Sequence, residues 1–196
     1  MNKRSSEQHE EIMEATYRAL CEHGFASLTM QSIAAESEKS KGLLHYHFDS
    51  KDDLLVAFIE YLLDQFERDI ASIEGTPAER LDAFIDRFVV ERTGDDRHAL
   101  HLALLELRAQ APYNDRYRHQ LVESDELVRE IVADIIRDGI DSGEFRKDID
   151  PDEIARLILA TMDGARTRGL TFGDEAYSTQ VRETLYDQVI TELTLE

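Results

Sequence analysis

Cysteine is almost missing from this chain of 196 residues, and the single thiol, Cys21, rules out an internal disulfide. That fits a reducing, cytoplasmic interior. Cys21 reads as a small residue packed on the first helix; the alternative is a thiol sensor, for which no neighbour lowers its pKa. No apolar run approaches the roughly 20 residues of a membrane span. The opening residues Met1-Asn2-Lys3-Arg4-Ser5-Ser6 lead into polar sequence, so no secretory segment is read there. Nucleophile elbows, phosphate loops and HExxH spacings are absent, which leaves no enzyme class to argue for. Sustained period-2 alternation is missing too, so an all-α fold is expected.

Positive charge is the other scarcity. The formal net charge is −20, which by itself argues against a nucleic-acid partner. The distribution of that charge removes the objection. Residues 1–51 hold six Lys/Arg against eight Asp/Glu, whereas the remainder holds 16 against 34. Four of the five lysines (Lys3, Lys39, Lys41 and Lys51) precede residue 52, and only Lys147 follows. The head is near neutral and the body carries the acidity. Abundant carboxylates with few lysines suggest adaptation to a salty cytoplasm; the alternative is an acidic surface kept for solubility.

Against this background residues 29–51 stand out. Thr29 is a plausible N-cap, followed by Met30, Ile33 and Ala34 at helical spacing. Ser37-Glu38-Lys39 forms a polar turn, Ser40 can cap the next helix, and that helix runs from Lys41 to about His47. Ser50-Lys51-Asp52-Asp53 then reads as a capping box with Asp in the Glu position. Two short helices across a tight polar turn, the second rich in Lys, His and Tyr, form a helix-turn-helix. His45 and His47 point about 200° apart on a helix, which suits one metal poorly. His98, His101 and His119 lack the Cys or His cluster of a metal site, so no metal or cofactor is expected.

Further along, the pattern stays helical. Helix 1 is read over Glu7 to His23, with Gly24 as its stop. Helix 4 carries Leu54, Leu55, Phe58, Ile59, Leu62, Phe66, Ile70 and Ile73 inward and ends by Gly75. Thr76-Pro77-Ala78-Glu79 and Asp150-Pro151-Asp152-Glu153 are cap–Pro–acid starts of helices 5 and 8. Helix 5 ends near Gly94, helix 6 spans about Arg97 to Gln110, and helix 7 about Asn114 to Asp141. Helix 8 is expected to stop near Arg168, with Gly169 to Gly173 as a loop before helix 9, Glu175 to Leu193. About nine helices result, in a DNA-binding domain over 1–52 and a ligand-binding and dimerisation domain over 53–196.

The sequence Thr29…Ile33-Ala34…Ser40-Lys41-Gly42-Leu43-Leu44…His47-Phe48-Asp49-Ser50-Lys51-Asp52-Asp53-Leu54 resembles the N-terminal domain of TetR-type transcriptional regulators. Three positions depart from the usual pattern: Glu38 where Gly is common, Lys39 where an apolar residue is usual, and His45 where Tyr is usual. The resemblance implies that Thr29, Ser40, Lys41, Gly42, Leu43, His45, Tyr46, His47 and Lys51 face double-stranded DNA. Physically, Lys41 and His45 suit base edges, and Gly42 allows close backbone approach. Tyr46, His47, Thr29 and Lys51 suit phosphates. It also implies a homodimer through the last two helices, with recognition helices about 34–36 Å apart. A ligand cavity is implied as well, for which Phe66, Phe88, Leu104, Leu107, Met162 and Phe172 are apolar candidates and Arg108, Tyr113, Tyr117 and Arg166 polar ones. The two arginines, if inward, would favour an amphipathic anion. The expected function is a ligand-released repressor; the alternative is a regulator governed by a protein partner, or a constitutive one.

Overall fold

The structure is a computed structural model that describes residues 3–37, 41–89 and 95–194, with side chains for the same residues except 3–6, 41–43, 88–89, 95–97, 175 and 192. The described residues are helical, with no strand beyond an isolated bridge between Phe145 and Thr194. The elements are α1 (Lys3–Ser27), α2 (Met30–Glu36), α3 (Lys41–His47), α4 (Lys51–Ala71), α5 (Pro77–Val89), α6 (Asp95–Gln110), α7 (Asp115–Ser142), α8 (Pro151–Phe172) and α9 (Glu175–Leu185). A 3₁₀ turn (Ala111–Tyr113), built on Pro112, links α6 to α7.

Contacts divide the chain into two compact units, Met1–Phe66 with Thr93–Val122, and Glu67–Arg92 with Glu123–Glu196. In the first, α1 packs on α2 and along α6, and α2 packs on α3. Ile12, Leu20, Ile33, Leu44, Phe58 and Leu107 meet in its core. Thr16 is buried there because its hydroxyl donates to the Ile12 carbonyl at 2.8 Å, one turn back. The helix breaks at Gly24 as expected, at φ 68 and ψ 171, and a short further helical turn then runs to Ser27. Glu106 of α6 accepts the Ala26 N–H at 3.2 Å and so supports that extra turn.

In the second unit α5 packs on α8 and α9, and α8 on α9. Thr76 and Glu79 form the reciprocal cap of α5, with bonds of 2.9 and 3.3 Å. Asp150 caps α8 by accepting from Asp152 and Glu153 N–H at 2.9 and 3.2 Å. The expected loop at Gly169–Gly173 is corrected. Helix α8 continues to Phe172, because Leu170 is buried and holds the extra turn, and Gly173 at φ 67 supplies the left-handed stop. The last helix is interrupted as well: α9 passes into a π-helical turn (Tyr186–Ile190) and a final α-turn (Thr191–Leu193). Arginine clusters absorb part of the acidity. Arg137 bonds Glu130, Asp134 and Asp152 at 2.8, 2.5 and 3.2 Å, and Arg129 also pairs with Asp152. Arg182 of α9 pairs with Asp82 and Asp86 of α5.

Candidate nucleic-acid interface

Helix α2 begins where its side chains dictate. Thr29 is extended at φ −135 and ψ 159, its hydroxyl accepts the Ser32 N–H at 3.0 Å, and its own N–H donates to Ser32 Oγ at 2.9 Å. Serine fills the returning position where Glu or Gln is usual. Ile33 is buried from this helix. Helix α2 ends at its C-cap Ser37, extended at φ −105 and ψ 145. Glu38, Lys39 and Ser40 lie outside the described residues.

Helix α3 has two faces. Leu44 is fully buried, whereas His45 is exposed and Tyr46 is 82% exposed. Lys41 sits one turn before His45 in the same helix, followed by Gly42 and Leu43; their side chains lie outside the described set. His47 is half-buried. Its ring stands edge-on to Tyr46 at 5.2 Å and near Phe48 at 6.4 Å, and its Nε2 is buried with no hydrogen-bond partner among the described residues. This nitrogen therefore does not face outward beside Tyr46.

Ser50 opens α4 as expected. Its hydroxyl accepts the Asp53 N–H at 3.1 Å and donates to Asp53 Oδ2 at 2.6 Å. Lys51 is placed less simply. Its ammonium donates to the Leu28 carbonyl at 3.2 Å and lies 5.0 Å from the Phe25 ring centroid. It thus bolts the start of α4 to the link between α1 and α2, at the residue before Thr29.

The next two residues bind α7. Asp52 accepts the Tyr117 hydroxyl at 2.6 Å and the Asn114 amide at 3.2 Å. Asp53 pairs with Arg116. Burial and the Asp52 carboxylate push the Tyr117 phenol well above its ordinary range. The Ser50 hydroxyl and Arg116 hold the Asp53 carboxyl below the usual carboxylate range. Tyr117 is only 2% exposed, and its ring meets Phe25 edge-on at 6.4 Å. In the sequence Tyr117 is a ligand-pocket candidate; nothing local there signals this bond, whose partner lies 65 positions away.

The other pocket candidates are scattered in character. In the first unit Leu104 and Phe66 are half-buried, Leu107 is buried, Arg108 is exposed, and Tyr113 is 88% exposed on the 3₁₀ turn. In the second, Met162 is buried, Phe172 is 68% exposed beneath the Arg168 guanidinium, and Arg166 pairs with Asp163 at 2.5 Å. The side chain of Phe88 lies outside the described set. Between α8 and α9 an open groove of about 400 Å³ is lined by Leu157, Thr161, Gln180, Val181, Thr184, Leu185, Gln188 and Val189. No group of three or more His, Cys, Asp or Glu among the described residues could hold a metal, and no described helix is long and apolar enough to cross a membrane.

Comparison with known proteins agrees with this geometry. Residues 12–58 match the family described as bacterial regulatory proteins, tetR family, and residues 77–194 match that described as BetI-type transcriptional repressor, C-terminal. A crystal structure of a TetR transcription regulator from Haloarcula marismortui is similar at a TM-score of 0.87 and 42% identity, over 96% of this chain and 100% of that one. The HTH-type transcriptional repressor KstR2 of Mycobacterium tuberculosis is 27% identical over 155 residues, 77% of this chain and 76% of its own. The fatty acid metabolism regulator protein of Bacillus subtilis is 26% identical over 165 residues, 82% of each chain. The Haloarcula relative is in keeping with the salt adaptation read from the acidic, lysine-poor body.

Proposed function

Because this chain belongs to the TetR family of DNA-binding transcriptional repressors, we infer that it works as a homodimer released from its operator by a small molecule. Its chemistry is binding, not catalysis. The observation that carries the reading is the two-faced α3, with Leu44 in the core and His45 and Tyr46 outside, between the capped starts of α2 and α4. Lys41 and His45, one turn apart, read base edges in the major groove. Tyr46, with Thr29 and the N–H groups of α2 and α4, holds phosphates; Lys51 keeps two further donors for the same purpose. Ser40, Gly42 and Leu43 complete the proposed contact set; the buried Nε2 of His47 takes that expected contact out of it.

The α8–α9 groove supports dimerisation through the last two helices. Leu157 is an exposed apolar group there, and a partner's paired helices would bury it in a four-helix bundle. The effector is an amphipathic anion, a reading supported by the similarity to the fatty acid metabolism regulator of Bacillus subtilis. It releases DNA by preferring a dimer with the wrong recognition-helix spacing. The test is binding by Lys41→Ala and His45→Ala across operator and scrambled duplexes. Both substitutions should flatten the preference for operator, each good base contact supplying about 1–3 kcal/mol of discrimination. Undiminished specificity in both would remove α3 from base reading.

A further inference from the structure

The first turn of α4 carries two carboxylates, Asp52 and Asp53, immediately after Lys51, at the edge that the proposed function sets against phosphates. Acids there favour the helix N-terminus. Facing DNA, however, each would repel phosphate oxygens. The structure resolves this conflict with α7. Arg116 pairs with Asp53, while the Tyr117 hydroxyl and Asn114 amide engage Asp52 at 2.6 and 3.2 Å. Asn114 Oδ1 in turn accepts the N–H groups of Arg116 and Tyr117 at 3.0 and 3.4 Å, so the first turn of α7 is itself fixed. Tyr117 and Lys51 both contact the Phe25 ring. The carboxylates, the lysine and the α7 turn therefore form one connected assembly.

We propose that Arg116 and Tyr117 are positioning residues for DNA binding: from the first turn of α7 they hold the first turn of α4 and keep its two carboxylates off the phosphate track. The inference rests on the reading of the Thr29–Lys51 edge as DNA-facing. Arg116 cancels the charge of Asp53, and Tyr117 with Asn114 turns Asp52 toward the protein interior. Neither Arg116 nor Tyr117 needs to touch DNA.

The test measures duplex binding by the full chain, from the lowest KCl at which circular dichroism shows it folded up to molar KCl. Arg116→Gln unmasks Asp53. At the low-salt end it should weaken operator and random duplex alike by about fivefold, the Coulomb effect of one unpaired charge on two phosphates roughly 8 Å away. The deficit should shrink as KCl rises, because screening shortens to about 3 Å at 1 M. Adding Asp53→Asn to Arg116→Gln should restore most of the affinity. A role confined to fold stability would leave the double variant as weak as the single one. Tyr117→Phe keeps the ring against Phe25, and should weaken binding on all sequences while leaving specificity unchanged. If Lys51→Ala weakens binding while Arg116→Gln and Tyr117→Phe do not, the inference is overturned and the DNA edge stands. Full binding in all three variants would overturn the reading of the edge as well.

Discussion

Replacing Lys51 with Met separates two roles that one ammonium serves. The stem and its packing survive, and only the charged head is lost. In the protein without DNA that head donates to Leu28 O at 3.2 Å and sits 5.0 Å from the Phe25 centroid. A hydrogen bond from a charged donor is worth about 1.5–3 kcal/mol, and a partly exposed cation–π contact about 0.5–1 kcal/mol. Lys51 is half-buried, and water replaces part of both contacts in the variant. The expected net loss is therefore about 1–2 kcal/mol, below the roughly 2–4 kcal/mol of the unscreened sum. Urea unfolding at fixed KCl should show it as a lower midpoint with an unchanged slope. Binding to random duplex should weaken in parallel, and the slope of log affinity against log salt should fall by about 1, the signature of one phosphate contact. An unchanged unfolding midpoint would refute the bolt between α4 and the α1–α2 link. An unchanged salt slope would show that both roles reduce to the structural one.

Other expectations follow from the same geometry. Gly139→Ala places a methyl inside the Phe145 ring, which is itself fully buried, so overpacking should cost about 3 kcal/mol in a thermal melt. Asp53, held down by Ser50 and Arg116, and Asp148, held down by Arg146, both titrate lower in the folded chain than in the unfolded one. Their stabilisation is complete above the unfolded carboxylate pKa near 4 and disappears as pH falls through the folded value; Asp53→Asn should flatten that acid limb in pH-dependent unfolding. The acidic body should gain stability from dilute buffer to molar KCl, since like charges dominate it and salt screens them, and a melting temperature indifferent to KCl would remove the salt adaptation.

Legibility in the sequence followed the range of the interaction. The caps at Thr29, Ser50, Thr76 and Asp150 close within three residues, so the local pattern was enough to place them. Ile33 was recognisable from helical spacing, and it is fully buried. The continuation of α8 past Gly169 was not legible. Glycine there signals a break, but burial of Leu170 outweighs the propensity cost of about 1 kcal/mol. The π-turn in the last helix has no composition marker. Lys51 read as a free cation because its partners, Leu28 and Phe25, lie more than 20 residues back. The grip of α7 on α4 was hidden for the same reason: Asp52 and Tyr117 look like an ordinary first-turn acid and an ordinary aromatic until the fold brings them to 2.6 Å.

A dimer that reads DNA with α3 is tested most directly by selecting duplexes from a random pool with the full chain and mapping the bound sites. The expected product is an enriched inverted repeat whose half-site centres lie one helical turn apart, about 34–36 Å, occupied by two copies of the chain. Selection that enriches no sequence, or that yields a single half-site bound by one copy, would contradict it.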